Sequence, residues 1–334
     1  MFCCNSTDSD QDSITAFKTK TGAQSIQPLM STLAIDSKNP NTNSNNNTLR
    51  LLTQNCKLLL VVGEWPVMPI SAPERARLLA EKLLERRCDV VGLNEVFLKE
   101  PTAILKTAFE ANGYNVLASI PATTTWYPSI RVNSGLFLAS KLPILSHDFY
   151  EYTHSSGMDQ FSRKGVLVAE LDQKGAGRAG RLFVAISHHQ SEGSDVVMTS
   201  QFQAAGKFVE EFVLSRVSSD SELSDTVVLY FGDMNVADSD TPKLYTSLLE
   251  SLSTQTEDLF KTCNPTDDKG FTFPANDPKQ RLDYFFALRE FKSRKGVAVG
   301  QSQKPETVRV DRLVVEGPSV ELSDHLGLLA EMNM

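Results

Sequence analysis

From Leu49 onward the chain falls into blocks of apolar residues, and the blocks carry two different periods. Leu49 to Val62, Asp89 to Val96, Tyr114 to Ser119, Ser134 to Ser140, Gly165 to Leu171, Arg181 to Ser187 and Thr226 to Phe231 are apolar runs of strand length. Arg281 to Leu288, Thr307 to Val315 and His325 to Met332 continue the series. Helical spacing takes over between them. Ala76, Leu79 and Leu83, flanked by Ala80 and Leu84, recur up to Arg87 behind the capping-box pattern Ser71-Ala72-Pro73-Glu74. Thr102 to Asn112 is a second helical stretch, and Gly113 is suited to its C-terminal cap. Asp195 to Val217 reads as a long amphipathic helix and Leu244 to Leu252 as a short one.

The strands outnumber the helices and do not alternate strictly with them, and no internal repeat is visible. That order favours two packed sheets with helices outside. Residues 1–48 differ in texture: they are rich in Ser, Thr, Asn, Gln and Asp and end in an Asn-rich run. Such a stretch cannot bury enough apolar surface to offset its chain entropy, so a disordered polar tail is expected there. No composition shift divides residues 49–334, which are expected to form one domain.

Composition narrows the class. With 22% charged and 41% hydrophobic residues, the 334-residue chain has globular character. Its longest apolar runs, such as Leu58 to Val62, are five residues, against the roughly 18 a membrane-spanning helix needs. Asn5, Ser6, Asp8, Asp10 and Asp12 interrupt the N-terminus, and no Lys or Arg precedes Lys18, so a secretory signal is not expected. The net charge of −8 argues against broad electrostatic capture of nucleic acid, and stable nucleic-acid binding is not expected. The five cysteines (Cys3, Cys4, Cys56, Cys88 and Cys263) are too scattered for a disulfide framework or a zinc site. Reduced thiols and a cytoplasmic location follow as expectations. Cys3 and Cys4 are either two free thiols on a flexible tail, the plainer reading, or a pair of S-acylation sites.

The chemistry sits where polar residues interrupt the apolar runs. Asn55 breaks the first strand, and Glu95 ends the second at a place where a hard cation could be held. Either residue alone is more often part of a turn. Ser187-His188-His189-Gln190 follows an apolar run, and a histidine there could move a proton near neutral pH. If Val184 and Ile186 share a face, so does His188, with His189 opposite. Gly232-Asp233-Met234-Asn235 places an acid and an amide two apart after a buried strand, either presenting two oxygens to one substrate or closing an Asx-turn. Asp283 lies inside the apolar run Arg281 to Phe286, where an unpaired carboxylate is costly. Asp324 adjoins His325 at the entrance to the last strand. Either Asp283 or Asp324 could orient an imidazole, and spacing does not choose between them.

Taken in order, Asn, Asn-Glu, Ser-His, Gly-Asp-Met-Asn, Leu-Asp-Tyr and Ser-Asp-His resemble the endonuclease/exonuclease/phosphatase superfamily across residues 50–333. Within it the chain looks most like the neutral and bacterial sphingomyelinases. Asn133 to Ile144, Phe161-Ser162-Arg163-Lys164-Gly165-Val166 and Phe271-Thr272-Phe273 before Arg281 are similar to their segments. The resemblance implies an α+β, four-layer α/β sandwich of the deoxyribonuclease type, with two packed mixed β-sheets flanked by helices. It also implies a Mg2+-dependent phosphodiesterase, with Mn2+ or another divalent cation as the alternative metal. Glu95 would be the principal metal ligand with Asn55 nearby. Asp233 and Asn235 would position water and phosphate, and His325 would be the general base. His188 would contact phosphate as an acid or electrostatic stabiliser, Lys164 would neutralise phosphate charge, and Asp283 and Asp324 would be supporting acids. The implied substrate is a phospholipid, sphingomyelin, cleaved to ceramide and phosphocholine with peripheral membrane contact. A nuclease or another phosphoesterase of the same superfamily is the competing reading, since fold does not fix substrate. Trp65 to Ile70 reads as a packed loop, or alternatively as an apolar loop facing a membrane.

Overall fold

In the computed structural model the strands, in chain order, are β1 (Thr48–Leu58), β2 (Val90–Val96), β3 (Asn115–Ala118), β4 (Phe137–Ser140), β5 (Ile144–Glu151), β6 (Gly165–Leu171), β7 (Arg181–His188), β8 (Thr226–Asp233), β9 (Gln255–Asp258), β10 (Asp283–Lys292), β11 (Ala298–Gly300), β12 (Glu306–Leu313) and β13 (Gly327–Asn333). The helices are α1 (Ala72–Glu85), α2 (Lys99–Ala111), α3 (Asp195–Leu214), α4 (Asp220–Ser224), α5 (Pro242–Leu252) and α6 (Leu259–Cys263), with 3-10 turns at Gly157–Phe161 and Lys174–Ala176. The structure describes residues 48–59, 70–118, 133–264, 269–292, 298–301, 306–314 and 321–334. The expected tail up to residue 47, Cys3 and Cys4, and residues 60–69 of the Trp65 loop lie outside them.

Two mixed sheets result. The first runs β12-β13-β1-β2-β4-β3, and the second runs β11-β10-β8-β7-β6-β5 with β9 beside β10. Strand alternation sorts the apolar residues into three layers. Leu51, Val90, Leu138, Val184, Ile186, Leu229, Phe231, Phe285 and Leu328 pack between the sheets. Phe183, Ala185, Val228 and Tyr230 face the other way, against Phe202 and Val209 of α3 and Leu248 of α5. Leu52, Val91 and Leu93 pack on Leu79 and Leu83 of α1 and on Leu105 and Phe109 of α2. The four-layer sandwich expected from the sequence is the observed fold.

Register brings the strand ends together. The parallel pair β1/β2 aligns Asn55 with Asn94, and the parallel pair β7/β8 aligns His188 with Asp233. Antiparallel β10 starts at Asp283 opposite Asp233, and antiparallel β13 places Leu328 opposite Thr53. All the polar interruptions therefore open at one end of the sandwich.

The boundaries depart from the sequence expectation where burial is one-sided. β5 escapes the apolar pattern because it is an edge strand with Ser146, His147 and Asp148 on its polar positions, paired only to β6 among the described residues. The α2 helix begins at Lys99 rather than Thr102, because Pro101 is compatible with a first helical turn. The α3 helix ends at Leu214, short of Val217, and β4 begins at Phe137 rather than Ser134. Short α4, α6, β9 and β11 have too few residues to show a period. As its capping pattern implies, Ser71 accepts from Glu74 N at the start of α1, and Ser194 accepts from Val197 N at the start of α3.

At Gly92 the two sheets leave no room for a side chain. A Cβ there would lie 2.5 Å from Phe231 Cε2 and 2.7 Å from Ile186 Cγ2. Gly92→Ala is expected to destabilise by about 1–3 kcal/mol through overpacking, read as a lower urea midpoint with an unchanged slope. Gly175→Ala, whose Cβ would meet only Asp172 Oδ2 at 3.8 Å, is the control and should move stability by less than about 0.5 kcal/mol.

Candidate active site

Asn55 follows the inward-facing Leu49 and Leu51 on β1, so alternation brings it to the open end of the inter-sheet space. Its Nδ2 donates to Glu95 Oε1 at 3.0 Å and to Asp233 Oδ2 at 2.9 Å, while its Oδ1 accepts from the Lys57 backbone N–H. Asn55 thus ties the two acids together and offers them its amide nitrogen. Strict alternation would send Glu95 to the helix side with Val91 and Leu93. A left-handed φ of 58° instead turns its carboxylate toward Asn55 and His188. Asn235 and Lys57 also have positive φ, 52° and 48°, so backbone strain concentrates at this end of the sandwich.

Asp233 ends β8 behind Gly232, whose φ is 135° and whose added Cβ would lie 2.2 Å from Ser187 O. Glycine is required there for strands β7 and β8 to approach. Asn94 locks the same point across the two sheets: its Oδ1 accepts from Asp233 N at 3.2 Å and its Nδ2 donates to Ser187 O at 2.9 Å. Asn235 donates its backbone N–H to Asp233 Oδ1 at 2.9 Å and its Nδ2 to His189 O at 3.0 Å.

The histidines separate as alternation expects. His188 faces the site, with Nε2 3.9 Å from Glu95 and 3.7 Å from Asp233. His189 points to the opposite face, stacked on Tyr152 and bonded to Tyr230 Oη at 2.9 Å. Lys164 Nζ donates to three acceptors inside the protein: His188 Nε2 at 3.0 Å, His189 O at 3.0 Å and Asp159 at 2.8 Å. Its charge stands at the site, and a direct bond to a phosphate would exchange one of these three. Burial and then the Lys164 ammonium hold His188 well below the ordinary histidine range. The imidazole is therefore neutral, which suits a neutral contact better than proton donation.

The choice left open between Asp283 and Asp324 is resolved by geometry. His325 Nδ1 lies 2.9 Å from Asp283 Oδ2, and its Nε2 faces Asp233 Oδ2 at 3.8 Å. Asp324 instead pairs with Lys57 Nζ at 2.6 Å. Burial opposes a charge on His325, but Asp283 and Asp233 outweigh it and raise the imidazole to about 10. Burial also pushes Asp233 up to about 7, with Asp283 adding to the rise against the pull of His325. Glu95 is raised as well, by burial first. His325 is the cation nearest Asp233, and the pull of Lys164 and His325 on Glu95 does not offset its burial.

The donor set fits a hard divalent cation. Glu95, His188 and Asp233 each bring a ligand atom within 4.8 Å of the others. His188 Nε2 already accepts from Lys164, which leaves the carboxylate oxygens, the donors Mg2+ or Mn2+ prefers. Sequence reasoning missed Lys57 and Arg75, which hold this end of the sandwich in place with Ser323, and gave Asn94 and Ser323 no role of their own. Lys57 does carry a signal, as a charge inside the apolar run Leu49 to Val62, and Arg75 stands at the spacing of the buried Leu79 on α1.

The fold has close counterparts among solved structures. Sphingomyelinase C from Streptomyces griseocarneus superposes with a TM-score of 0.57 at 21% identity, covering 86% of this chain and 99% of that one. Danio rerio TDP2 in complex with a single strand DNA product gives 0.59 at 16% identity, with 86% and 99% covered. At such identities the likeness shows the fold alone. In sequence, the chain is 29% identical over 207 residues to sphingomyelin phosphodiesterase 5 of Danio rerio, covering 59% of this chain and 35% of that protein. It is 28% identical over 218 residues to a sphingomyelinase of Dictyostelium discoideum, covering 55% and 45%. The chain therefore spans less than half the length of these curated relatives. The model of the Endonuclease/Exonuclease/phosphatase family matches residues 47–325, from the start of β1 to the histidine paired with Asp283, and the chain belongs to that family.

Proposed function

We propose that this protein is a divalent-cation-dependent phosphodiesterase that hydrolyses sphingomyelin to ceramide and phosphocholine. The observation that carries the hydrolytic reading is the His325–Asp283 pair aimed at Asp233. Asp283 holds Nδ1–H of His325, which leaves Nε2 to take a proton from an attacking water. Asp233 and Asn235 orient that water and the phosphate. Lys164 and the neutral His188 lie where phosphoryl charge develops, and preorganised charge of this kind is usually the largest catalytic contribution. Glu95 would be the principal cation ligand with Asn55 and Asp233 beside it, and a bound Mg2+ or Mn2+ would supply neutralisation of the phosphoryl and leaving oxygens and a more acidic water. His325 owes part of its high proton affinity to Asp233. With the charge of Asp233 shared with a cation, that part would shrink and His325 would move toward the range a base needs.

The lipid substrate is supported by the two named sphingomyelinase relatives and by the rim of the site. Met158 and Phe161, 76% and 41% exposed, flank Asp159, which bonds both Lys164 and Ser191. Val196, 78% exposed, lies at the start of α3 shortly after Ser191. An apolar rim tied to a phosphate-binding lysine suits peripheral contact with a membrane. No helix among the described residues is long and apolar enough to cross one.

The deciding assay is head-group release from sphingomyelin vesicles, with plasmid DNA and an inositol phosphate as competing substrates, each with Mg2+ or chelator. Phosphocholine release with Mg2+ alone is expected. Cleavage confined to DNA or the inositol phosphate would replace the lipid reading with the nuclease or phosphatase one. Glu95→Gln should weaken Mg2+ binding by about tenfold or more while the fold persists; equal calorimetric affinity would reject its role. Because burial pushes Asp233 up to about 7, cation binding would displace a proton at lower pH, so affinity should rise as pH increases from 6 to 8. His325→Ala should lower kcat by roughly 10²–10⁴-fold with KM little changed, and retained turnover would place the base elsewhere. Met158→Asp with Phe161→Asp should slow hydrolysis of vesicles several-fold but not that of detergent-dispersed substrate.

A further inference from the structure

Lys57 is a buried ammonium that the reaction above does not use. It lies two residues beyond Asn55 with a φ of 48°, a conformation unfavourable for a long side chain. Its side chain is 7% exposed and its Nζ pairs with Asp324 Oδ2 at 2.6 Å. Burying a lysine is costly unless its charge is matched, and here it is matched by the acid preceding His325.

The carboxylates at this end of the sandwich sort by their partners. Asp159 is met by Lys164 at 2.8 Å, Asp283 by His325 at 2.9 Å and Asp324 by Lys57 at 2.6 Å. Glu95 and Asp233 share the Asn55 amide and face His188 at 3.9 and 3.7 Å, and Asp233 has His325 Nε2 at 3.8 Å, so among the described residues histidine is the only basic side chain within 4 Å of either. Two carboxylates without a lysine or arginine partner call for one divalent ion. Asp324 would be the next acid able to take another: its side chain is 26% exposed, and Mg2+ needs only one or two carboxylates with water completing the shell.

We propose that Lys57 is a resident cation that occupies Asp324 and limits the site to one divalent ion, held by Glu95 and Asp233. The inference rests on the cation dependence proposed above and deepens it. A lysine supplies one compact positive charge at a fixed place. A second divalent ion at Asp324 would stand beside His325 with twice that charge and oppose protonation of the base. Lys57 neutralises the acid without that penalty, and its charge is not removed by a chelator.

The test counts Mn2+ ions bound to the full chain by electron paramagnetic resonance of the free ion. The parent protein should bind one ion. Lys57→Met frees Asp324 and should take up a second, weaker ion. Lys57→Met combined with Asp324→Asn replaces one neutral pair by another and should return to one ion, with an affinity within about threefold of the parent. Two ions on the parent, a single ion on folded Lys57→Met, or loss of the ion from the double variant would each overturn the inference. The parent count decides even if Lys57→Met does not fold. No ion on the parent would refute the cation dependence itself, a different failure. A merely structural role for Lys57 would not change the ion count.

Discussion

The candidate site depends on how the segment before β13 is strapped to the end of β1. Four consecutive residues are each tied down. Leu322 O accepts from Arg75, Ser323 Oγ donates to Asn55 O, Asp324 pairs with Lys57, and His325 O accepts from Gln54 Nε2. Arg75 also donates to Cys56 O and Lys57 O from inside α1, where it is 2% exposed. A buried guanidinium is costly, and three carbonyl bonds offset that cost only in this geometry. Helix α1, strand β1 and the His325 turn are therefore fixed as one unit. Without that unit the imidazole would not meet Asp283, which arrives on β10 from the other sheet.

The second constraint is electrostatic. Glu95, Asp233 and Asp283 converge in a buried space, where burial first and then the Asp283 charge raise Asp233. The fold holds them there by backbone geometry, through positive φ at Glu95 and Asn235, and by the cross-sheet bonds of Asn94. An arrangement that keeps acids close against their repulsion is one in which added positive charge is strongly favoured. Strain at Glu95 and the high proton affinity of Asp233 are two expressions of the same preorganisation, in which stability is given up locally for a charge-binding site.

Much of this was legible in the sequence because the site residues interrupt buried strands. An acid or amide after five apolar residues stands out, and alternation alone separated His188 from His189. Alternation failed at Glu95, since one left-handed residue reverses the facing of a side chain without leaving a mark in composition. The partner of His325 was equally hidden: Asp324 is its neighbour in sequence, but the antiparallel start of β10 delivers Asp283 instead. Arg75 was hidden because a basic residue on an amphipathic helix ordinarily faces water. The edge strand β5 was hidden because its polar positions follow from exposure, and exposure is a property of the assembled sheet.

Fold and substrate are set by different parts of the molecule. The strand ends that carry Glu95, Asp233, Asp283 and His325 belong to the inter-sheet scaffold, and the same scaffold superposes on a sphingomyelinase and on a protein solved with a DNA product at nearly equal TM-scores, 0.57 and 0.59. Discrimination between a lipid and a nucleic acid must then arise at the rim, where segments outside the sheets are free to differ. A DNA backbone asks the rim for positive charge. Here the turn beside Lys164 presents Met158 and Phe161, and the acid between them is already bonded to that lysine. Apolar exposure next to the Lys164 ammonium is what the proposed sphingomyelin substrate, whose phosphate lies just above hydrocarbon, would require.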